Sequence, residues 1–202
     1  PLSNDPNLQV SILRAGQPIP ADATLVIIPG TKSTRGDLEF LKSQGWDIDL
    51  RAHHRRGGHI LGICGGYQIL GKTISDPEGI EGPAGTSEGL GFLDVETRMS
   101  QNKSLTRVNA SYGVRALTIE GYEIHIGETH GPDCARPFAY IEDRPEGAQS
   151  LTGQVKGTYL HGLFSNDLFR KTFLTGIGLD SGTGNYESDV EQTLDALAAH
   201  IE

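Results

Sequence analysis

The chain has 202 residues, with 26 acidic against 17 basic side chains and a formal charge of -9 at neutral pH. That length suits one α/β domain with a sizeable core, and that charge argues against a nucleic-acid binder. No apolar stretch approaches the roughly 20 residues of a membrane helix, and no signal-peptide pattern opens the chain.

The opening "PLSNDPN" (1–7) predicts a loop, "LQVSILR" (8–14) alternates as a strand does, and "AGQPIPADA" (15–23) is a turn-rich connector. "TLVIIPG" (24–30) is an uninterrupted aliphatic run, which predicts a strand covered on both faces, as in a parallel sheet. "GDLEFLKSQGW" (36–46) predicts a helix with Leu38 and Leu41 on one face. The densest basic run, "RAHHRRGGH" (51–59), reads as a solvated loop rather than a phosphate-binding patch. "HILGI" (59–63) is the next buried strand, and "GGYQILGKTI" (65–74) predicts a helix that starts at once after it. The β-α-β-α order implies a doubly wound parallel sheet with helices on both faces.

From residue 75 the texture changes. "SDPEGIEGPAGTSEG" (75–89) reads as a long surface loop. "LGFLDVET" (90–97), "SLTRVNASYGVRALTIE" (104–120) and "YEIHIGETH" (122–130) read as short strands of an added antiparallel or mixed section. "FAYIEDR" (138–144) and "SLTGQVKGTYLHGLF" (150–164) are further strands. "NDLFRKTFLTGIG" (166–178) predicts a helix capped by Asn166. "SDVEQTLDALAAHIE" (188–202) predicts a closing amphipathic helix with Leu194, Leu197 and Ile201 on one face.

The two cysteines, Cys64 and Cys134, read as reduced thiols of a cytoplasmic protein, and neither has metal-ligand spacing, so no metal is expected. Cys64 stands where a strand gives way to a helix, with Gly65 and Gly66 directly behind it. A tight strand-to-helix turn pushes such a residue out of the sheet edge and demands small neighbours. The helix start favours a thiolate, and the free N–H of Gly65 can hold a developing oxyanion. A second donor is expected from the turn after "IIPG", where Gly30 ends the neighbouring strand, because sites in open α/β sheets lie at the carboxyl ends of strands. The plainer reading of Cys64 is a small buried hydrophobe. A thiol nucleophile needs a base. His53, His54 and His59 lie in or beside the basic run, and His200 in the last helical turn. His125 and His130 flank a strand end, and His161 ends the strand in "GTYLHGLF".

"LGICGGYQILG" followed far downstream by "GTYLHGLF" resembles the class I (triad) glutamine amidotransferases, and more closely the CobQ-type domain at the C-terminal end of cobyric acid synthases. "LVIIPGTKST", "DPEGIEG", "EGLGFLDVET", "GYEIHIGETH" and "LFSNDLFRKTFL" extend the resemblance over nearly the whole chain. It implies a flavodoxin-like glutaminase domain over residues 1–202, in which Cys64 attacks the glutamine amide through a thioester and His161 moves the proton. It implies that Gly30 and Gly65 supply oxyanion donors and that Gln68 lies near the bound glutamine. No cofactor is expected in this domain. ATP and magnesium belong to an N-terminal synthetase domain of a longer chain, where the ammonia amidates corrinoid carboxylates to give cobyric acid.

Two departures stand out. Many class I members carry an acidic residue two positions after the histidine, where this chain has Leu163. No phosphate-loop motif occurs, and the first sheet strand the resemblance implies is missing before Pro1, so the chain reads as the C-terminal piece of a longer enzyme. The alternatives are another glutamine amidotransferase, such as a subunit that amidates peptidoglycan precursors, or an inactive docking domain of the same fold.

Overall fold

The structure, a computed structural model, describes residues 1–113, 116–182 and 184–201. In chain order the strands are β1 (Leu25–Ile28), β2 (His59–Ile63), β3 (Thr73–Asp76), β4 (Gly85–Glu88), β5 (Glu96–Tyr112), β6 (Leu117–His130), β7 (Ala139–Ile141), β8 (Arg144–Glu146), β9 (Ala148–Gln149), β10 (Val155–Thr158) and β11 (Leu160–His161). The α-helices are α1 (Thr34–Ser43), α2 (Trp46–Arg55), α3 (Gly65–Leu70), α4 (Asp167–Gly176) and α5 (Tyr186–Ile201).

They form two open sheets. The first runs β1-β2-β10-β9, with β1, β2 and β10 parallel and β9 antiparallel to β10. The second runs β11-β6-β5-β3-β4, with β7 and β8 attached through β5. The first sheet is covered on both faces, as its continuous aliphatic runs require. Val26, Ile28 and Ile60 pack with Leu38, Leu41 and Leu50 of α1 and α2, and with Tyr67 of α3. Leu25, Ile27, Leu61 and Ile63 pack on the opposite face with Phe169, Phe173 and Leu174 of α4. Between Thr158 and Leu160 the chain leaves the first sheet and enters the second, and the buried Tyr159 makes the step.

Five expectations are corrected. Residues 8–14 form no strand: the alternation is present, but the segment pairs with no strand among the described residues, and Val10 and Ile12 stay exposed. The helix expected over 36–46 is two helices, broken at Gly45, whose φ of 74° is left-handed and whose N–H bonds the Lys42 carbonyl. The basic run is mostly helix rather than loop. Asp47 and Asp49 open α2 and His53, His54 and Arg55 close it, which suits the helix dipole, and His53 turns inward to bond the His59 carbonyl. The helix after Cys64 stops at Leu70, and Thr73–Asp76 pair as β3 instead. The short strands after residue 95 are two long ones, β5 and β6, in a hairpin whose register shifts between Arg98 and Lys103. In α5, Leu194 and Leu197 are exposed, and the side chain of Ile201 lies outside the described residues.

Candidate active site

Cys64 sits between β2 and α3 with φ 54°, an uncommon conformation for a residue with a side chain, as a nucleophile elbow requires. The glycines around it are sterically demanded. A methyl group at Gly66 would collide with the Ile28 carbonyl, and one at Gly62 would lie 2.6 Å from the Gly66 carbonyl oxygen. The Cys64 N–H donates to the Thr158 carbonyl at 2.8 Å, which ties the elbow to β10.

His161, on β11, meets the elbow over Gly30. A methyl group placed on Gly30 would be 3.3 Å from His161 Cε1 and 3.4 Å from Cys64 Cβ, so thiol and imidazole flank one small space. Only a glycine leaves that space open. His161 Nε2 is buried with no hydrogen-bond partner among the described residues. A hydrogen bond to the Ile124 backbone on β6 engages the ring and favours its protonated form. With one ring nitrogen so engaged, Nε2 is the one free to exchange a proton. Of the other strand-end histidines, His125 stacks on Tyr159 and its Nδ1 bonds the Gly127 carbonyl, and His130 is exposed beside Glu128.

The position two residues after His161 is Leu163, packed in the core with Leu61 and Phe169. Buried acids of this region come from elsewhere, Glu123 opposite Leu160 on β6 and Glu146. Glu146, at the end of β8, accepts from Thr158 Oγ1 at 2.7 Å and from the Tyr159 N–H at 2.5 Å, and Thr158 Oγ1 accepts from the Leu160 N–H at 3.1 Å. One carboxylate thus holds the step that carries His161 from one sheet to the other. Burial pushes its pKa up to about 7.

The elbow thiol also departs from expectation. Burial raises the Cys64 pKa, and the Gly65 N–H at the helix start, although it favours thiolate, does not offset it; the Glu81 charge raises it further. The His161 pKa is lowered, chiefly by burial. The resting pair is therefore a thiol beside a neutral imidazole, because desolvation outweighs a short helix's dipole.

The structure brings Cys64, Gly65, Gly30 and His161 together. Gln68 lies beneath them, 2% exposed, with both ends of its amide engaged: Oε1 accepts from Thr34 Oγ1, and Nε2 donates to the Ile126 carbonyl and Tyr159 Oη. Sequence reasoning missed Glu146, Thr158, Tyr159, Thr34 and Glu81, whose links span many residues. The one available signal was the Asp-Pro-x-Gly of "DPEGIEG", a turn former that fixes Glu81.

Residues 1–169 match the family described as the CobB/CobQ-like glutamine amidotransferase domain. The chain is 61% identical to a cobyric acid synthase of Cereibacter sphaeroides and 60% identical to one of Rhodobacter capsulatus, in each case over its full length. It is 59% identical to that of Bradyrhizobium diazoefficiens. The chain spans 42% of the length of these curated relatives. Among solved structures, a glutamine amidotransferase superposes with a TM-score of 0.54 at 18% identity, covering 77% of this chain and 80% of that one. The PurLQS structure from Thermotoga maritima gives the same score and identity, covering 87% and 81%. At that identity these two speak for the fold.

Proposed function

Because the chain belongs to the CobB/CobQ-like glutamine amidotransferase domain family, we propose that it is the glutaminase part of a cobyric acid synthase, releasing ammonia from glutamine through a Cys64 thioester. The observation that carries this reading is the convergence of Cys64 and His161 on one space that only a glycine at position 30 leaves free.

In this mechanism Cys64 Sγ attacks the side-chain carbonyl carbon of glutamine as its proton passes to His161 Nε2. The carbonyl oxygen becomes an oxyanion, held by the N–H of Gly65 and by the backbone after β1 at Gly30. The tetrahedral species collapses: the C–N bond breaks, the nitrogen takes the proton from His161, and ammonia leaves behind a γ-glutamyl thioester. A water then gives a proton to His161 and its oxygen to the acyl carbon. The C–S bond breaks, the sulfur recovers the proton, and glutamate departs. Gln68 acts from below, through the position of the elbow rather than through a free amide.

The ammonia would serve an ATP- and magnesium-dependent synthetase region of a longer polypeptide, which would activate corrinoid carboxylates for amidation. The relatives named cobyric acid synthase favour this acceptor over a peptidoglycan precursor. The test is glutamate release from L-glutamine by the wild type, Cys64→Ser and His161→Asn, with the quenched His161 variant analysed by mass for a γ-glutamyl adduct on Cys64. Wild-type release that persists in Cys64→Ser would end the reading.

A further inference from the structure

We propose that Glu81 is the residue that recognises the α-ammonium group of the glutamine substrate, holding it beside the elbow by an ion pair. The inference rests on the glutaminase reading above and assigns a role to the "DPEGIEG" loop, which that mechanism leaves unused.

The loop is built to present this carboxylate. Asp76, buried at the end of β3, accepts from the N–H groups of Ile80 at 2.8 Å and Glu81 at 3.0 Å, and Gly79 turns the chain with φ 69°. Glu81 is half-buried, and its Oε2 accepts from the Thr34 N–H at 2.8 Å at the start of α1. Thr34 rests on the elbow itself. Its Oγ1 donates to Gln68 Oε1 at 3.2 Å, and a methyl group on Gly65 would lie 3.2 Å from that same oxygen. A carboxylate is therefore fixed one residue away from the proposed oxyanion glycine. Its other oxygen forms no hydrogen bond or ion pair among the described residues.

A carboxylate beside a thiol that must ionise is an unfavourable arrangement for the empty site. Its charge opposes formation of the thiolate, adding to the burial that chiefly raises the Cys64 pKa. The arrangement becomes favourable once a cation arrives. Free glutamine carries one three carbons from the amide under attack. An ammonium paired to Glu81 both anchors the substrate and offsets the charge that adds to burial in keeping Cys64 protonated.

The experiment compares L-glutamine with glutaramic acid, the same molecule lacking the α-amino group, in the wild type and in Glu81→Gln. The glutamine replacement still offers Thr34 an acceptor, so the start of α1 is kept. Steady-state kinetics are measured together with the concentration of each compound that half-protects Cys64 from iodoacetamide. We expect the wild type to prefer glutamine. In Glu81→Gln we expect the KM and half-protection concentration for glutamine to rise about 10- to 100-fold, the range for a hydrogen bond to a charged group, while the values for glutaramic acid do not rise. Equal handling of both compounds by the wild type, or an undiminished preference in the variant, overturns the proposal. So does an equal loss with both compounds, which would make Glu81 only a prop for α1. A wild type that hydrolyses neither compound refutes the glutaminase reading itself, and this inference with it.

Discussion

The N–H of Cys64 and the carbonyl of Thr158 are joined at 2.8 Å. Cys64 and His161 thus follow adjacent parallel strands that share a hydrogen bond, His161 coming three residues after Thr158. The strands align Ile63 with Thr158, so the bond extends their ladder by one rung into the site.

Replacing Gly30 with alanine should impair chemistry more than folding. Its backbone has no positive φ, so alanine brings no backbone strain, but the added methyl would stand 3.3 Å from the His161 ring and 3.4 Å from Cys64 Cβ. The two groups must give way by a few tenths of an ångström, and attack is sensitive to such displacement. We expect glutaminase kcat to fall about 10- to 100-fold with the melting temperature nearly unchanged. Full activity would show that the space is not where substrate reacts.

Gly66→Ala should act on the fold. The methyl's three nearest neighbours are all backbone atoms of Ile28 and Pro29, the Ile28 carbonyl first, so the elbow cannot close without moving the end of β1. A loss of roughly 2–4 kcal/mol or failure to fold is expected. Gly82→Ala, where the added atom meets nothing within 4 Å, is the control and should stay within about 0.5 kcal/mol. Denaturant unfolding of both variants checks the contrast.

The activity profile should be broad around neutrality. His161 titrates below its ordinary range and Cys64 above its own, so thiol and neutral imidazole coexist between them. Activity should fall on the acid side only as His161 gains a proton, and on the alkaline side as Cys64 loses its proton. Iodoacetamide should label Cys64 of the free protein slowly at neutral pH and faster as pH rises through the thiol range. Rapid, pH-independent labelling at neutrality would mean a preformed thiolate and contradict the burial argument.

Glu146 should make stability depend on pH. Its carboxyl titrates at about 7 in the folded protein against an ordinary value of 4.5. The folded state therefore holds the proton over a range where the unfolded chain has lost it, and stability declines as pH rises from about 4.5 to 7. The shift corresponds to a loss on the order of 3 kcal/mol. Glu146→Gln, which cannot ionise, should flatten this part of the curve. Identical pH dependence of unfolding in wild type and variant would remove Glu146 as the cause.

What was legible in the chain was what depends on near neighbours. Aliphatic runs located β1 and β2, the Cys-Gly-Gly turn located the elbow, and Asn166 does cap α4, its Oδ1 accepting from the Phe169 N–H at 2.8 Å. The segment 8–14 failed because alternation specifies faces and not a hydrogen-bonding partner. The helix at 36–46 was mis-bounded because the left-handed turn at Gly45 leaves the apolar period on both sides intact. Glu146, and the contact Glu81 makes, were missed for a different reason. The partners of Glu146 lie 12 and 13 residues away and that of Glu81 lies 47 residues away, and no local pattern names such a partner. The lowered Cys64 pKa expected from the helix start failed on burial, a property of the folded whole.

The two-residue step at Tyr159 has a mechanical consequence. Cys64 is fixed to one sheet and His161 to the other, so the gap between them gauges how the sheets are set against each other. Tyr159 Oη bonds Gln68 beneath the elbow and Thr129 on β6, and so bolts the two arms of this caliper at their pivot. The width of the space over Gly30 is therefore set by the packing of whole sheets and not by the residues around it alone.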